Sequence, residues 1–341
     1  MKKISELGEF GLIDHLTKNF GHKNSSTIKG VGDDAAVLGY EGKRIVVTTD
    51  LLLEGIHFDL VYTPMKHLGY KAVAVNLSDV YAMMALPRQV TVSVGISSKF
   101  TVEAMEEFYS GVRLACERFD VDMIGGDTSA SVTGMMISIT AIGELMGEPV
   151  YRNGAGVNNL VCVSGDLGAA YAGLQILERE KMVFKANPHQ QPDLSKYDYV
   201  LERFLKPEPR RDIFEVLQKE GIAVTAMIDI SDGLSSEILH ICKQSETGVR
   251  IYEDKIPYHP QTLMVAEELN LDPAVFALNG GEDYELLFTV PLNQLDALKN
   301  YPQISIIGHV VEKEKEAMLV SRSGQELPLN AQGWDAINRS I

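Results

Sequence analysis

The sequence predicts an α/β (α+β) chain of two domains, residues 1–148 and 149–341, and three observations carry that reading. A length of 341 residues with 45% hydrophobic content buries more than one small core. Strand and helix signals alternate in both halves. Between Glu148 and Asn159 a turn-rich stretch, with Pro149, Asn153-Gly154, Gly156 and Asn158-Asn159, separates the two series.

Element by element, Arg44 to Thr49 is a short apolar strand ending at Asp50, and Val90, Val92, Val94 and Ile96 alternate as a half-buried strand does. Thr101 is placed to cap a helix whose apolar face is Val102, Met105, Tyr109, Val112 and Cys116. Val121 to Ile124 leads into Gly125-Gly126-Asp127, and Met135, Ile137 and Ile139 alternate in a strand between Gly134 and Gly143. In the second half Leu160 to Val163 reads as strand, Gly165 to Gly168 as turn and Ala169 to Arg179 as helix. Phe184 to Pro209, with four prolines, is a polar excursion expected to be irregular or helical. Val224 to Ile230 is a strand emptying into Ser231-Asp232-Gly233, followed by a helix over Leu234 to Lys243. Leu286 to Val290 and Ile304 to Ile307 complete a second sheet.

A net charge of −16 without a Lys/Arg block argues against nucleic acid as partner. Cys116, Cys162 and Cys242 stand singly, as reduced thiols of a cytoplasmic protein would. Acidic Glu6, Glu9 and Asp14 interrupt any leader-like segment, and no apolar run approaches the roughly 20 residues that span a bilayer.

The chemistry lies in six acidic segments, read as turns at the ends of apolar strands. They are Gly32-Asp33-Asp34, Thr48-Thr49-Asp50, Asn76-Leu77-Ser78-Asp79, Gly125-Gly126-Asp127-Thr128, Asp229-Ile230-Ser231-Asp232-Gly233 and Gly280-Gly281-Glu282-Asp283. One such segment alone is more often a cap or a plain turn, but six in similar settings favour a shared site. Asp33, Asp50, Asp79, Asp127, Asp229 and Asp232 supply oxygen ligands of the kind Mg²⁺ takes, and Thr48 and Thr49 add hydroxyl or carbonyl oxygens. Scattered histidines and apolar cysteines disfavour Zn²⁺. Crowded anions need positive charge among them, which several metal ions with a polyphosphate provide. Gly42-Lys43 lacks a P-loop's upstream glycine, and Gly30-Val31-Gly32 follows a polar segment, so a nucleotide would bind by another route. His57 reads equally as a core histidine or a phosphate donor, Arg152 as a solvated charge or a phosphate ligand, and Trp334 as core or a stacking surface.

Taken with Thr49-Asp50-Leu51-Leu52-Leu53-Glu54-Gly55-Ile56-His57-Phe58 and Gly281-Glu282-Asp283-Tyr284-Glu285-Leu286, these segments resemble the thiamine-monophosphate kinase family. That family shares a superfamily with aminoimidazole ribonucleotide synthetase, selenophosphate synthetase and the hydrogenase-maturation dehydratase. The resemblance runs from Gly32 through Gly333. It implies a fold like aminoimidazole ribonucleotide synthetase, with an N-terminal mixed-sheet domain that forms a homodimer, through strands such as Val90 to Ile96, and a C-terminal α/β domain. It also implies ATP-dependent, in-line phosphorylation of thiamine monophosphate to thiamine diphosphate. By the same resemblance Asp33, Thr48, Thr49, Asp50, Asp79, Asp127, Asp229 and Asp232 would hold several Mg²⁺, with Asp50 and Asp232 catalytic. Asp33, Tyr109, Gly126, Asp127, Arg152 and Ser231 would touch ATP, and His57, Glu282 or Asp283, and Trp334 the thiamine substrate. Met84 stands where relatives commonly have Gly, a departure that bears on helix packing near Asp79. The alternatives are a sister reaction of the superfamily and a noncatalytic ATP or metal sensor. A reactive N-terminal Cys would mark selenophosphate synthesis and a C-terminal Cys the maturation enzyme, whereas the first cysteine here is Cys116 and the last residue Ile341.

Overall fold

The computed structural model describes residues 25–29, 32–187, 189 and 192–331. Its first sheet has six strands, β1 (Thr27–Lys29), β2 (Ala36–Tyr40), β3 (Lys43–Leu53), β4 (Ala85–Ile96), β5 (Asp122–Ala130) and β6 (Met136–Leu145), in the order β1-β2-β3-β6-β4-β5. All neighbours are antiparallel except β4 and β5. Tyr40 pairs with Lys43, leaving a two-residue hairpin loop in which Glu41 and Gly42 are both left-handed, the backbone a tight hairpin of this length requires.

Helices α1 (Met65–Ala82) and α2 (Val102–Phe119) cover one face of this sheet. Thr101 caps α2 as the sequence predicts, its hydroxyl accepting the Ala104 N–H at 3.2 Å. The segment around Asp79 overturns its sequence reading, for Asn76 to Asp79 lie inside α1 and not in a turn. This helix is buried from Leu68 through Ala82 at nearly every position, so it has no polar face and no helical periodicity to read. It ends cleanly, with the Met83 N–H on the Asp79 carbonyl and Met84 left-handed at φ 55°, where relatives were expected to carry glycine. Gly125-Gly126-Asp127 likewise continue a strand, and Thr48 to Asp50 lie mid-strand in β3. A Cβ on Gly126 would stand 1.8 Å from the Val92 carbonyl, so close packing of β5 on β4 requires that glycine.

The second sheet contains β7 (Leu160–Ser164), β8 (Ala226–Asp229), β9 (Thr247–Tyr252), β10 (Leu286–Val290), β11 (Ile304–Glu312), β12 (Ala317–Val320) and β13 (Glu326–Pro328). Its order is β13-β12-β9-β11-β7-β10-β8, antiparallel except between β9 and β12. The expected polar excursion is part helical and part irregular: α3 (Ala169–Ala186) runs into it, α4 (Asp198–Leu205) lies within it, and α5 (Arg211–Lys219) begins just beyond it. Then come α6 (Leu234–Ser245), α7 (Pro260–Glu268), α8 (Pro273–Asn279) and the single turn α9 (Leu295–Leu298). Ile176, Val200, Phe204 and Phe276 join α3, α4 and α8 in one apolar cluster. Phe214 of α5 packs on Tyr81 of α1, ring centroids 5.3 Å apart, so the two halves share core. Among the described residues no helix is long and apolar enough to cross a membrane.

Candidate active site

Where the two sheets approach each other, a cleft of about 680 Å³ opens, a size suited to small-molecule ligands. One half is acidic. β3 presents Thr48 and Asp50 on the side facing α1: the Asp50 N–H donates to Asn76 Oδ1 at 3.0 Å, and the Thr48 hydroxyl to Asp79 Oδ2 at 2.6 Å. Ser78, beside Asp79 on α1, donates to the Asp229 carboxylate at 2.5 Å, joining the first half of the chain to the end of β8. Carboxylate oxygens of Asp34, Asp79 and Asp229 all lie within 4.8 Å of one another. Positive charge comes from Arg152, whose guanidinium grips Asp34 through two bonds of 3.1 Å while its backbone N–H donates to Asp33 at 2.9 Å.

Arg152, together with Lys29, whose ammonium pairs with Asp33 at 2.8 Å, does not neutralise this group. Burial, with Asp34 nearby, pushes Asp50 up to about 6. Burial and the neighbouring carboxylates hold Asp79 and Asp229 well above the ordinary carboxylate range, and burial beside Asp232 does the same to Glu237. A buried, oxygen-only donor set short of positive charge fits a hard divalent cation.

The other half is aromatic. His57, Phe58, Tyr62, Tyr171 and Phe204 line it, with Glu282 on one side and Lys181 at its margin, the latter paired with Asp59 at 2.7 Å and Glu178 at 3.0 Å. Burial lowers the His57 pKa, and its Nδ1 accepts the Leu53 N–H at 3.0 Å.

Of the sequence-predicted residues, Asp33, Thr48, Thr49, Asp50, Asp79, Arg152, Asp229, Ser231, Asp232, His57 and Glu282 line this one cleft. Asp283 is a correction. Its carboxylate is buried and accepts the N–H groups of Gly168 (2.7 Å) and Ala170 (3.3 Å) at the start of α3, so of the two acids Glu282 is the one that faces the cleft. Tyr109 packs on the first core, and Gly126 and Asp127 stand on the exposed β5, outside the cleft lining. The strand Val90 to Ile96 is paired on both sides, so among the described residues the open edge next to it is β5. Trp334 lies outside the described residues. Sequence reasoning missed Asp34 and Glu237. Asp34 was visible as the neighbour of Asp33, and Glu237 as an acid in the first turn of α6, where it accepts the Asp232 N–H at 2.8 Å.

Comparison with known proteins follows the same lines. Residues 32–145 match the AIR synthase related protein N-terminal domain, and residues 157–321 the AIR synthase related protein C-terminal domain. The chain is 36% identical over 312 residues to thiamine-monophosphate kinase of Aquifex aeolicus (strain VF5), covering 92% of this chain and 94% of that one. It is 33% identical over 336 residues to the thiamine-monophosphate kinase of Bacillus subtilis (strain 168), covering 96% and 99%. A solved structure, AaThiL complexed with AMPPCP and TMP, matches with a TM-score of 0.84 at 33% identity over 98% of each chain.

Proposed function

The chain belongs to the thiamine-monophosphate kinase family, and from that premise we propose that it transfers the γ-phosphoryl group of ATP to thiamine monophosphate, giving thiamine diphosphate and ADP. The observation that carries the reading is the pairing, in one cleft, of the Asp34–Asp79–Asp229 cluster with an aromatic pocket bearing Glu282. A thiazolium ring is a planar cation, and aromatic faces with a carboxylate complement it. The acceptor is a phosphate oxygen, largely ionised at neutral pH, so no side chain has to remove a proton from it. Positioning and charge neutralisation then suffice for a direct in-line transfer without a phosphoenzyme. In this reading Asp33, Asp34, Thr48, Thr49, Asp50, Asp79, Asp229 and Asp232 hold Mg²⁺, which when bound neutralises the phosphate oxygens as charge shifts between them. Arg152 and Ser231 meet the nucleotide, and His57 and Glu282 orient the acceptor. The test is incubation with ATP, Mg²⁺ and thiamine monophosphate, followed by chromatography. Equimolar thiamine diphosphate and ADP are expected, and bound but unconsumed ATP would overturn the proposal.

The same proposal divides the chain after residue 148, in keeping with a first sheet that ends at Leu145 and a second that begins at Leu160, and places it in the cytoplasm as a homodimer. Support for the dimer comes from β5, a nine-residue edge strand exposed at every position, with Met123 and Ile124 among its side chains. Asp127 shares a sheet row with Leu51 of the cleft through Ser93 and Ser138, three strand spacings or about 14 Å away. Pairing along this edge would put Gly126 and Asp127 at the seam between the copies, and in this proposal they serve the ATP bound by the partner. Inactive Asp50→Ala and Asp127→Ala proteins, unfolded and refolded together, should then recover about a quarter of the wild-type activity, since half the dimers are mixed and each has one intact site. No recovery from a mixture that contains mixed dimers would place Asp127 in its own copy's site.

A further inference from the structure

Lys71 of α1 has no part in the scheme above, yet its side chain is only 2% exposed. An ammonium buried that deeply persists only with partners. It has three: an ion pair to Glu282 Oε2, the main-chain oxygen of His57 at 3.5 Å, and the ring of Phe204, whose centroid is 4.3 Å from Nζ. They come from three separate parts of the chain, the segment after β3, the helix α4 and the turn before β10. All three line the aromatic half of the cleft, and Lys71 joins them from behind.

The Glu282 turn needs such a tie. Gly281, Glu282 and Tyr284 are all left-handed (φ 70°, 62° and 51°), a backbone that costs free energy at the two non-glycine positions. Its main chain is pinned by the Glu282 N–H on the Ser231 carbonyl (2.7 Å) and the Tyr284 N–H on the Ile230 carbonyl (2.8 Å), but neither bond orients the Glu282 side chain. The ion pair with Lys71 does so and leaves the second carboxylate oxygen available to a ligand. Lys71 and Asp79 share α1, eight residues or about 12 Å apart along its axis, so one rigid helix references both halves of the cleft.

We infer that Lys71 is a positioning residue for the phosphoryl acceptor, fixing Glu282, His57 and Phe204 as the wall against which the acceptor's cationic ring rests. The inference depends on the cleft accepting thiamine monophosphate, so the wild-type protein is assayed first. Lys71→Met keeps the apolar stem and removes the charge. In steady-state assays of the whole protein with Mg²⁺, it should raise KM for thiamine monophosphate about 10-fold or more, the size of a lost charge-assisted hydrogen bond, while KM for ATP stays within about twofold. Glu282→Gln should do the same, and the double variant should be little worse than either single one, because both break one pair. If Lys71→Met does not fold, Lys71→Arg carries the test, since a bulkier cation displaces Glu282 and should raise the same KM selectively. Equal rises in both KM values, or fully additive effects in the double variant, would overturn the positioning role and leave the kinase reading intact. Absence of thiamine diphosphate with wild-type protein would remove the kinase reading and this inference with it.

Discussion

An Asp50→Ala protein should lose about 1,000-fold or more in phosphoryl transfer while folding as well as wild type or better. Asp50 sits mid-strand in β3, its N–H tied to Asn76, so removing its carboxyl leaves the backbone frame in place. What disappears is an anion that would hold Mg²⁺ against the transferring group, an electrostatic contribution of at least the size lost with a single preorganised hydrogen-bond donor. Stability moves the other way because burial lifts Asp50 to about 6. Below pH 4 the folded and unfolded chains both carry the proton, and Asp50 contributes nothing to pH dependence. Between pH 4 and 6 the unfolded chain releases it first, so the metal-free fold weakens as pH rises and is about 3 kcal/mol poorer above pH 6. Without Mg²⁺, Asp50→Ala should therefore melt higher than wild type at pH 7.5 and level with it at pH 4. A variant that keeps near-normal turnover, or melts lower at pH 7.5, would refute the crowded-cage account.

Glu285→Ala should act in the opposite sense, destabilising the fold by about 3–5 kcal/mol. Glu285 is 1% exposed in its side chain and pairs with both Arg203 (2.9 Å) and Arg210, while also accepting from Ser164. Truncating it would take the ion-pair partner from the buried Arg203 guanidinium and leave Arg210 with Asp212 alone. The Arg203 guanidinium also donates to the Asp283 carbonyl at 3.1 Å, so α4 and the Glu282 turn would loosen together. Thermal melting with Mg²⁺ present should show a fall of about 10 °C, and a Tm within about a degree of wild type would remove Glu285 from this role. Two acids three positions apart, Glu282 and Glu285, thus serve ligand and scaffold respectively.

The strands were legible because β4 and β6 bury one side of each residue pair, and that alternation survives in Val90, Val92, Val94 and in Ile137, Ile139, Ala141. The helix α1 was not, since a helix buried all round has no periodicity to display. The site was legible as a ligand type: carboxylates in recurring small-residue settings mark a cation site wherever they fold. Neighbours could not be separated, because Asp33 from Asp34 and Glu282 from Asp283 differ only in where the backbone turns them. Nor could long-range partners be read, such as Arg152 on Asp34 or Lys71 under Glu282, which depend on how the two sheets meet.

The bond from Ser78 to Asp229 joins positions 151 residues apart. Asp34, Asp50 and Asp79 thus leave the ribosome long before Asp229 does, and the first sheet can close over its three acids before the fourth exists. Crowding reaches its full strength only when β8 docks against α1. The chain acquires its need for a cation in the same event that joins its halves.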